Sequence, residues 1–187
     1  MNPDNKHFDK KEEYNDGKYS MYSFSGNNGK FRRLACSEES ICILPFDLNE
    51  RGQIKNIYLA KYMDHLLGGV GFTCITDTFN KDQFDSYYNA VESCLADEMG
   101  LNDIHVNDTY LLGTVRHGVP FSKEYKCYGV NLTNHMEDPS GYTPIGLNPN
   151  QNIQSIEKVR FTRLLNGDIQ DSLALSCSLL LISYFSD

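Results

Sequence analysis

The chain has 187 residues, with 25 acidic against 17 basic side chains and a formal charge of −8 at pH 7. That length holds one domain with an arm and suffices to bury a real core, while the acidic balance argues against nucleic acid or an anionic membrane as a general partner. No apolar run reaches the roughly 18 residues of a membrane span; the nearest, residues 173–185, is broken by Ser176, Ser178 and Ser183 and reads as a buried terminal helix.

The opening MNPDNKHFDKKEEYNDGK has no apolar segment and does not read as a secretory signal. The expected location is therefore cytoplasmic or within a virus particle. Residues 1–35 form a polar arm in which Gly17, Gly26 and Gly29 break any periodicity. Alone, such an arm is expected to be disordered or loosely attached, docked either on its own domain or on a partner through Tyr14, Tyr19, Tyr22 and Phe24. From Ser40, SICILPFD and IKNIYLAKY read as two strands joined by the turn LNERGQ, a hairpin. The next stretch, LLGGVGFTCITDTFN, lacks the Lys-Ser/Thr of a phosphate loop, and its glycine spacing fits no dinucleotide fingerprint.

Residues 82–101, DQFDSYYNAVESCLADEMGL, carry the strongest signal. Phe84, Tyr88, Val91, Leu95 and Met99 recur every three or four residues, which predicts an amphipathic helix stopped by Gly100. Cys94, Asp97 and Glu98 share that spacing and form a more polar cluster beside the stripe. Beyond it, DTYLLGTVRHGV and KEYKCYGVNLT read as a second hairpin around Gly118 and Pro120, and residues 134–152 as a loop holding three of the six prolines. The tail SIEKVRFTRLLNGDIQ leads to a helix with Leu173, Leu175, Leu179, Leu180 and Tyr184 on its apolar face, capped by Asp171 or Ser172. The six cysteines contain no CxxC pair and sit among apolar neighbours, so reduced core thiols are expected, and neither disulfides nor structural zinc.

The run Ser93-Cys94-Leu95-Ala96-Asp97-Glu98-Met99-Gly100-Leu101 resembles the end of a Nudix box, Arg-Glu-hydrophobic-x-Glu-Glu-x-Gly-hydrophobic. Leu95, Glu98, Gly100 and Leu101 fit, Asp97 replaces a Glu, and Ser93-Cys94 stand where the family has Arg-Glu. Upstream, Phe79 falls where the family has Gly, and Asp85 where it has Glu. The order of elements over residues 40–185 resembles the family as well. The resemblance implies an α+β fold, an α/β/α sandwich with a mixed sheet, over a Nudix-like domain of residues 36–187. It also implies hydrolysis of nucleoside-diphosphate derivatives with Mg²⁺ or Mn²⁺, with Asp97 and Glu98 as metal ligands and Glu98 as the catalytic residue.

Hard cations prefer carboxylate to sulfur, so Cys94 cannot replace the missing Glu. Asp82, Asp85, Glu92, Glu124, Glu137 and Asp138 are further carboxylates that could be recruited, without spacing support. Asp97 and Glu98 also fit the role of solvated surface acids, and Cys94 that of a small buried thiol. As a nucleophile, Cys94 would need a histidine. His65, His105, His117 and His135 are available, but spacing selects none, and a mid-helix cysteine lacks the helix N-terminus that lowers thiol pKa. Arg116-His117 could bind an anion or lie on an exposed turn. The first expectation is a catalytically degenerate Nudix-like protein, a structural or interaction component meeting protein partners through the arm and the 134–152 loop. Its Asn-, Tyr- and Asp-rich, tryptophan-free composition matches a small phage or viral assembly protein. The alternative is a divergent, metal-dependent hydrolase.

Overall fold

The computed structural model describes residues 9–17, 19–26, 29–36, 38–64, 69–117, 121–144 and 153–186. In chain order these form β1 (Asp9–Asn15), β2 (Tyr19–Gly26), β3 (Gly29–Cys36), β4 (Ser40–Leu48), β5 (Ile54–Asp64), β6 (Gly69–Thr73), β7 (Ile75–Thr78), α1 (Tyr87–Met99), β8 (Thr109–His117), β9 (Phe121–Asn131), β10 (Ile153–Arg160), α2 (Phe161–Leu165) and α3 (Ser172–Ser186). Among the described residues, no helix is long and apolar enough to cross a membrane.

The sheet is organised around β4. Residues 40–47 of this strand are all buried, as an apolar run without alternation requires when both faces are covered. β4 pairs parallel with β9, from Ser40↔Tyr125 to Phe46↔Asn131. On its other edge it pairs antiparallel, first with β7 and then with β5. β10 closes the far edge of β5, and β8 lines the far edge of β9. Side chains alternate across the sheet. Ile41 and Ile43 face a layer containing Val91, Leu95 and Met99 of α1, whereas Cys42, Leu44 and Phe46 face one containing Leu173, Cys177 and Leu181 of α3. This is the expected mixed sheet between helices.

Both predicted hairpins form, β4–β5 and β8–β9, the second with a register shift beside Gly113. The N-terminal residues, expected to be loose only in isolation, form strands that dock on the sheet. β1, β2 and β3 make an antiparallel meander, joined to β9 by Leu34↔Phe121 and Ala35↔Ser122. The glycines that interrupt the pattern mark its turns: Gly17 sits between β1 and β2, and Gly26 pairs with Gly29 at the second reversal. Arg32 Nε donates to Glu13 Oε2 at 2.8 Å across the strands, and Lys10 Nζ lies 3.8 Å from the Tyr22 ring centre.

The loop after β9 is tied back to the sheet as far as it is described; residues 145–152 lie outside the described residues. Gly141 N–H donates to Ile156 O, and Ile156 N–H donates to Tyr142 O. Lys158 Nζ bridges Asp47 and Asp138 at 3.1 and 3.3 Å, while Asn56 Nδ2 donates to Asp47 at 2.8 Å. On α3, Asp171 is the cap, accepting from Ala174 N–H at 2.7 Å. The buried stripe of α3 is rotated from the expected one: Ala174, Cys177 and Leu181 join Leu173 inside, whereas Leu179 and Tyr184 are exposed. A helix this rich in leucine offers the pattern no polar face to choose against.

Helix α1 starts at Tyr87, three residues later than Phe84, where the apolar spacing begins. Asn80 holds the approach in a turn, accepting from Asp82 N–H with its side chain and from Phe84 N–H with its carbonyl. Ser86 then caps the helix by accepting from Asn89 N–H. At the other end Gly100 is left-handed, φ 67°, and closes the last turn onto Ala96 O and Leu95 O. A Cβ there would lie 2.5 Å from Tyr142 Cε2, whereas Gly52, at φ 74° in the β4–β5 turn, has nothing within 4 Å. Gly52→Ala is expected to cost about 1–2 kcal/mol from backbone strain alone. Gly100→Ala is expected to cost clearly more by urea denaturation, because Tyr142 must also move. Equal losses in the two variants would contradict the packing of Tyr142 on this cap.

Candidate active site

Ala90, Val91, Cys94, Leu95 and Met99 seat α1 on the sheet. That contact turns Asp97 to solvent and leaves Glu98 half-buried. Cys94, where the Nudix box has a metal-binding Glu, is only 2% exposed and packs in the core. Burial pushes its thiol well above the usual range, and the nearby charges of Asp77, Glu98 and Asp97 push the same way. The histidines do not rescue it as a nucleophile. His135 Nε2 is 3.2 Å from Asn102 O, His105 is exposed, His65 lies outside the described residues, and so does the side chain of His117.

The structure adds a carboxylate that sequence spacing does not pick out. Asp77 of β7 is the register partner of Ile41. Residues directly opposed across a ladder share a face, so Asp77 projects on the α1 side of the sheet. Burial raises its carboxyl pKa, opposed by the Thr78 N–H bond and reinforced by Asp97. Glu98 is raised by burial first and then by Asp77 and Asp97. Three acids thus meet across the helix–sheet seam, and the charge of Asp97 makes both Asp77 and Glu98 harder to ionise. The cleft beside them, about 560 Å³, is lined by Asp77, Thr78, Asn80, Gln83, Phe84, Ser93 and Asp97.

These are hard oxygen donors, suited to Mg²⁺ or Mn²⁺ rather than to a soft ion. The three carboxylates do not all lie within 4.8 Å of one another. Mg²⁺ tolerates such spacing, because it keeps several waters and is held by one or two carboxylates together with substrate phosphates. The other candidate acids go elsewhere. Glu124 pairs with Arg116 at 2.7 Å, which also removes Arg116 as an open anion site. Asp138 binds Lys158 and Ser140, Glu92 acts on Tyr88, and Asp82, Asp85 and Glu137 are exposed outside α1.

An aromatic wall adjoins the cleft. Phe79, in the position of the Nudix glycine, stacks on Tyr87 at 4.0 Å and faces Phe84 at 6.5 Å. Lys126 Nζ stands 3.7 Å from the Tyr87 ring centre, and Lys81 pairs with Glu39 at 2.7 Å. Asp77 was legible in principle: in CITDTF it falls between Ile75 and Phe79 on the apolar side of an alternating strand. An acid in register with buried Ile75 and Phe79, yet itself exposed at the rim of that face, is a site signal that helix spacing alone passes over.

No family model matches the sequence, and no curated protein matches it. Solved structures do. An ADP compounds hydrolase superposes with a TM-score of 0.59 at 13% identity, over 100% of this chain and 97% of that one. A Nudix hydrolase from Listeria monocytogenes superposes at 0.56 and 11% identity, over 79% and 94%. The Nudix domain of Shewanella oneidensis NrtR, solved with ADP-ribose, superposes at 0.54 and 14% identity, over 79% and 87%. The chain has a Nudix-like fold.

The site makes a prediction about its thiol. When the native protein is treated with iodoacetamide and mapped by mass spectrometry, half-buried Cys36 is expected to react first, and Cys94 to stay unmodified until the protein is denatured. Rapid native alkylation of Cys94 would contradict its burial.

Proposed function

We propose that this protein is a divergent, metal-dependent Nudix hydrolase that cleaves a nucleoside diphosphate linked to another group. The observation carrying this reading is Asp77, which brings a third carboxylate to Asp97 and Glu98 on the side where the box has lost one to Cys94. Burial and the charge of Asp97 destabilise ionised Asp77 and Glu98 in the absence of a cation, which is how a site favours a divalent ion bound together with a phosphate ligand. Asp77, Asp97 and Glu98 would hold Mg²⁺ or Mn²⁺, which supplies charge to the pyrophosphate and polarises a water. Glu98 is the residue assigned to catalysis. Phe84 offers a flat apolar wall to a base. Lys123, whose charge acts on Asp77, supplies a cation for phosphate oxygens.

A second reading is favoured by one specific observation, the burial of Cys94 at a box position that needs an oxygen ligand. In that reading the domain is a non-catalytic binding or structural component, with the β1–β3 meander and the 134–152 loop as contact surfaces for protein partners, as in a viral assembly. The two readings separate in one assay, the purified protein with Mg²⁺ or Mn²⁺ and a panel of nucleoside-diphosphate derivatives. The hydrolase reading expects turnover that falls by about 100-fold or more in Asp77→Asn and in Glu98→Gln, the upper range for lost metal-site groups. Asp82→Asn is expected to leave turnover within about twofold, since surface changes away from a site are near neutral. No turnover across the panel, or full activity in Asp77→Asn, would overturn it.

A further inference from the structure

Four of the five fully buried cysteines converge on the opposite face of the sheet from the acids. Cys42 of β4, Cys74 between β6 and β7, Cys127 of β9 and Cys177 of α3 are each 0–1% exposed and belong to one core cluster. Cys177 Sγ lies 3.3 Å from Cys42 Sγ and 3.3 Å from Cys127 Sγ. These three sulfurs all lie within 4.8 Å of one another, and Cys74, in the same core cluster, stands outside that trio. All are free thiols. The backbone sets this up: Cys42 and Cys127 are direct partners in the parallel β4–β9 ladder, and α3 lays Cys177 across them.

We infer that Cys42, Cys74, Cys127 and Cys177 form a buried thiolate site for a soft, tetrahedral divalent ion, zinc in the first instance. Packing alone does not call for this arrangement. A thiol in a core serves as a small hydrophobe, and alanine, valine or leucine would fill the layer as they do around it, without bringing three sulfurs together. Tetrahedral zinc with Zn–S bonds of about 2.3 Å places its sulfurs about 3.8 Å apart, so the 3.3 Å contacts of Cys177 open by a fraction of an ångström and Cys74 closes onto the trio as the fourth ligand. The set also has the wrong chemistry for Mg²⁺ or Mn²⁺, which separates it from the acidic cleft. Binding the ion would release the thiol protons. No CxxC is needed, because strand register and a helix do the work that short spacing does in a zinc ribbon. The site is structural: it would join the sheet to α3 and be closed to water.

The full chain, purified without chelator from zinc-supplemented medium, is expected to carry about one zinc per chain by elemental analysis. A strong chelator is expected to lower its melting temperature. Exchange with Co²⁺ should give the near-ultraviolet thiolate charge-transfer band and the intense visible bands of tetrahedral cobalt. Cys177→Ser should lose metal and bands, while Cys94→Ser, a buried cysteine outside the cluster, keeps both. If the cluster variants do not fold, the cobalt spectrum of the unmodified chain decides alone. Metal-free protein with an unchanged melting temperature in chelator and no charge-transfer band on Co²⁺ addition would overturn the proposal. So would a loss of two hydrogens per pair, marking disulfides in place of a metal.

Discussion

The register of β4 is the constraint on which the rest of the structure depends. Its residues are buried on both faces, and each of its neighbours is locked to it: Ile41 opposite Asp77, Cys42 opposite both Thr76 and Cys127. Because side chains alternate, one parity of β4 looks at α1 and the acids, the other at α3 and the thiols. A slip of one residue would exchange the two sets and move Asp77 into the apolar layer under α3. The same ladder therefore builds the cleft on one side and the cysteine cluster on the other. The Asp47, Asn56 and Lys158 contacts hold the end of β4 against β5 and the following loop.

The two faces sort their chemistry by hardness. Carboxylates gather at the partly solvated seam between α1 and β7, where hydration of an ion can be shared with water. Sulfur is confined to the dry layer beneath α3, where a hydrated hard cation could not enter. Cys94 is the informative exception. It stands at a box position associated with a charged ligand, but on the buried face of α1, where a carboxylate would have to be paired or neutralised. Its small size lets Val91 and Leu95 close onto the sheet. In the proposed hydrolase, Asp77 of β7 stands in for that helix ligand beside Asp97 and Glu98.

Much of this was legible in the chain. The apolar run SICILPFD, the strand pattern of IKNIYLAKY, the stripe from Val91 to Met99, the stop at Gly100 and the cap at Asp171 all correspond to local physics that tertiary contacts reinforce. The N-terminal meander was not, since among its described residues Ser23, not a large apolar side chain, is the one buried, and β3 meets the rest of the sheet only at Leu34↔Phe121 and Ala35↔Ser122. The face of α3 was misread because leucine lies on every side of it. The two sites were hidden for a common reason: Asp77 reaches Glu98, and Cys42 reaches Cys177, only through the sheet, with 135 residues separating the second pair. Spacing rules see neighbours along a helix and are blind to neighbours across a ladder.

The claim that Asp77, Asp97 and Glu98 act as one site is tested most directly by Mn²⁺ titration of the isotope-labelled protein, read as paramagnetic broadening of backbone amide signals. The account predicts that broadening begins together at residues 77–78 of β7 and 93–98 of α1, leaving residues 124 and 137–138 sharp. Broadening centred on those other acids, or spread evenly over the acidic surface, would contradict it.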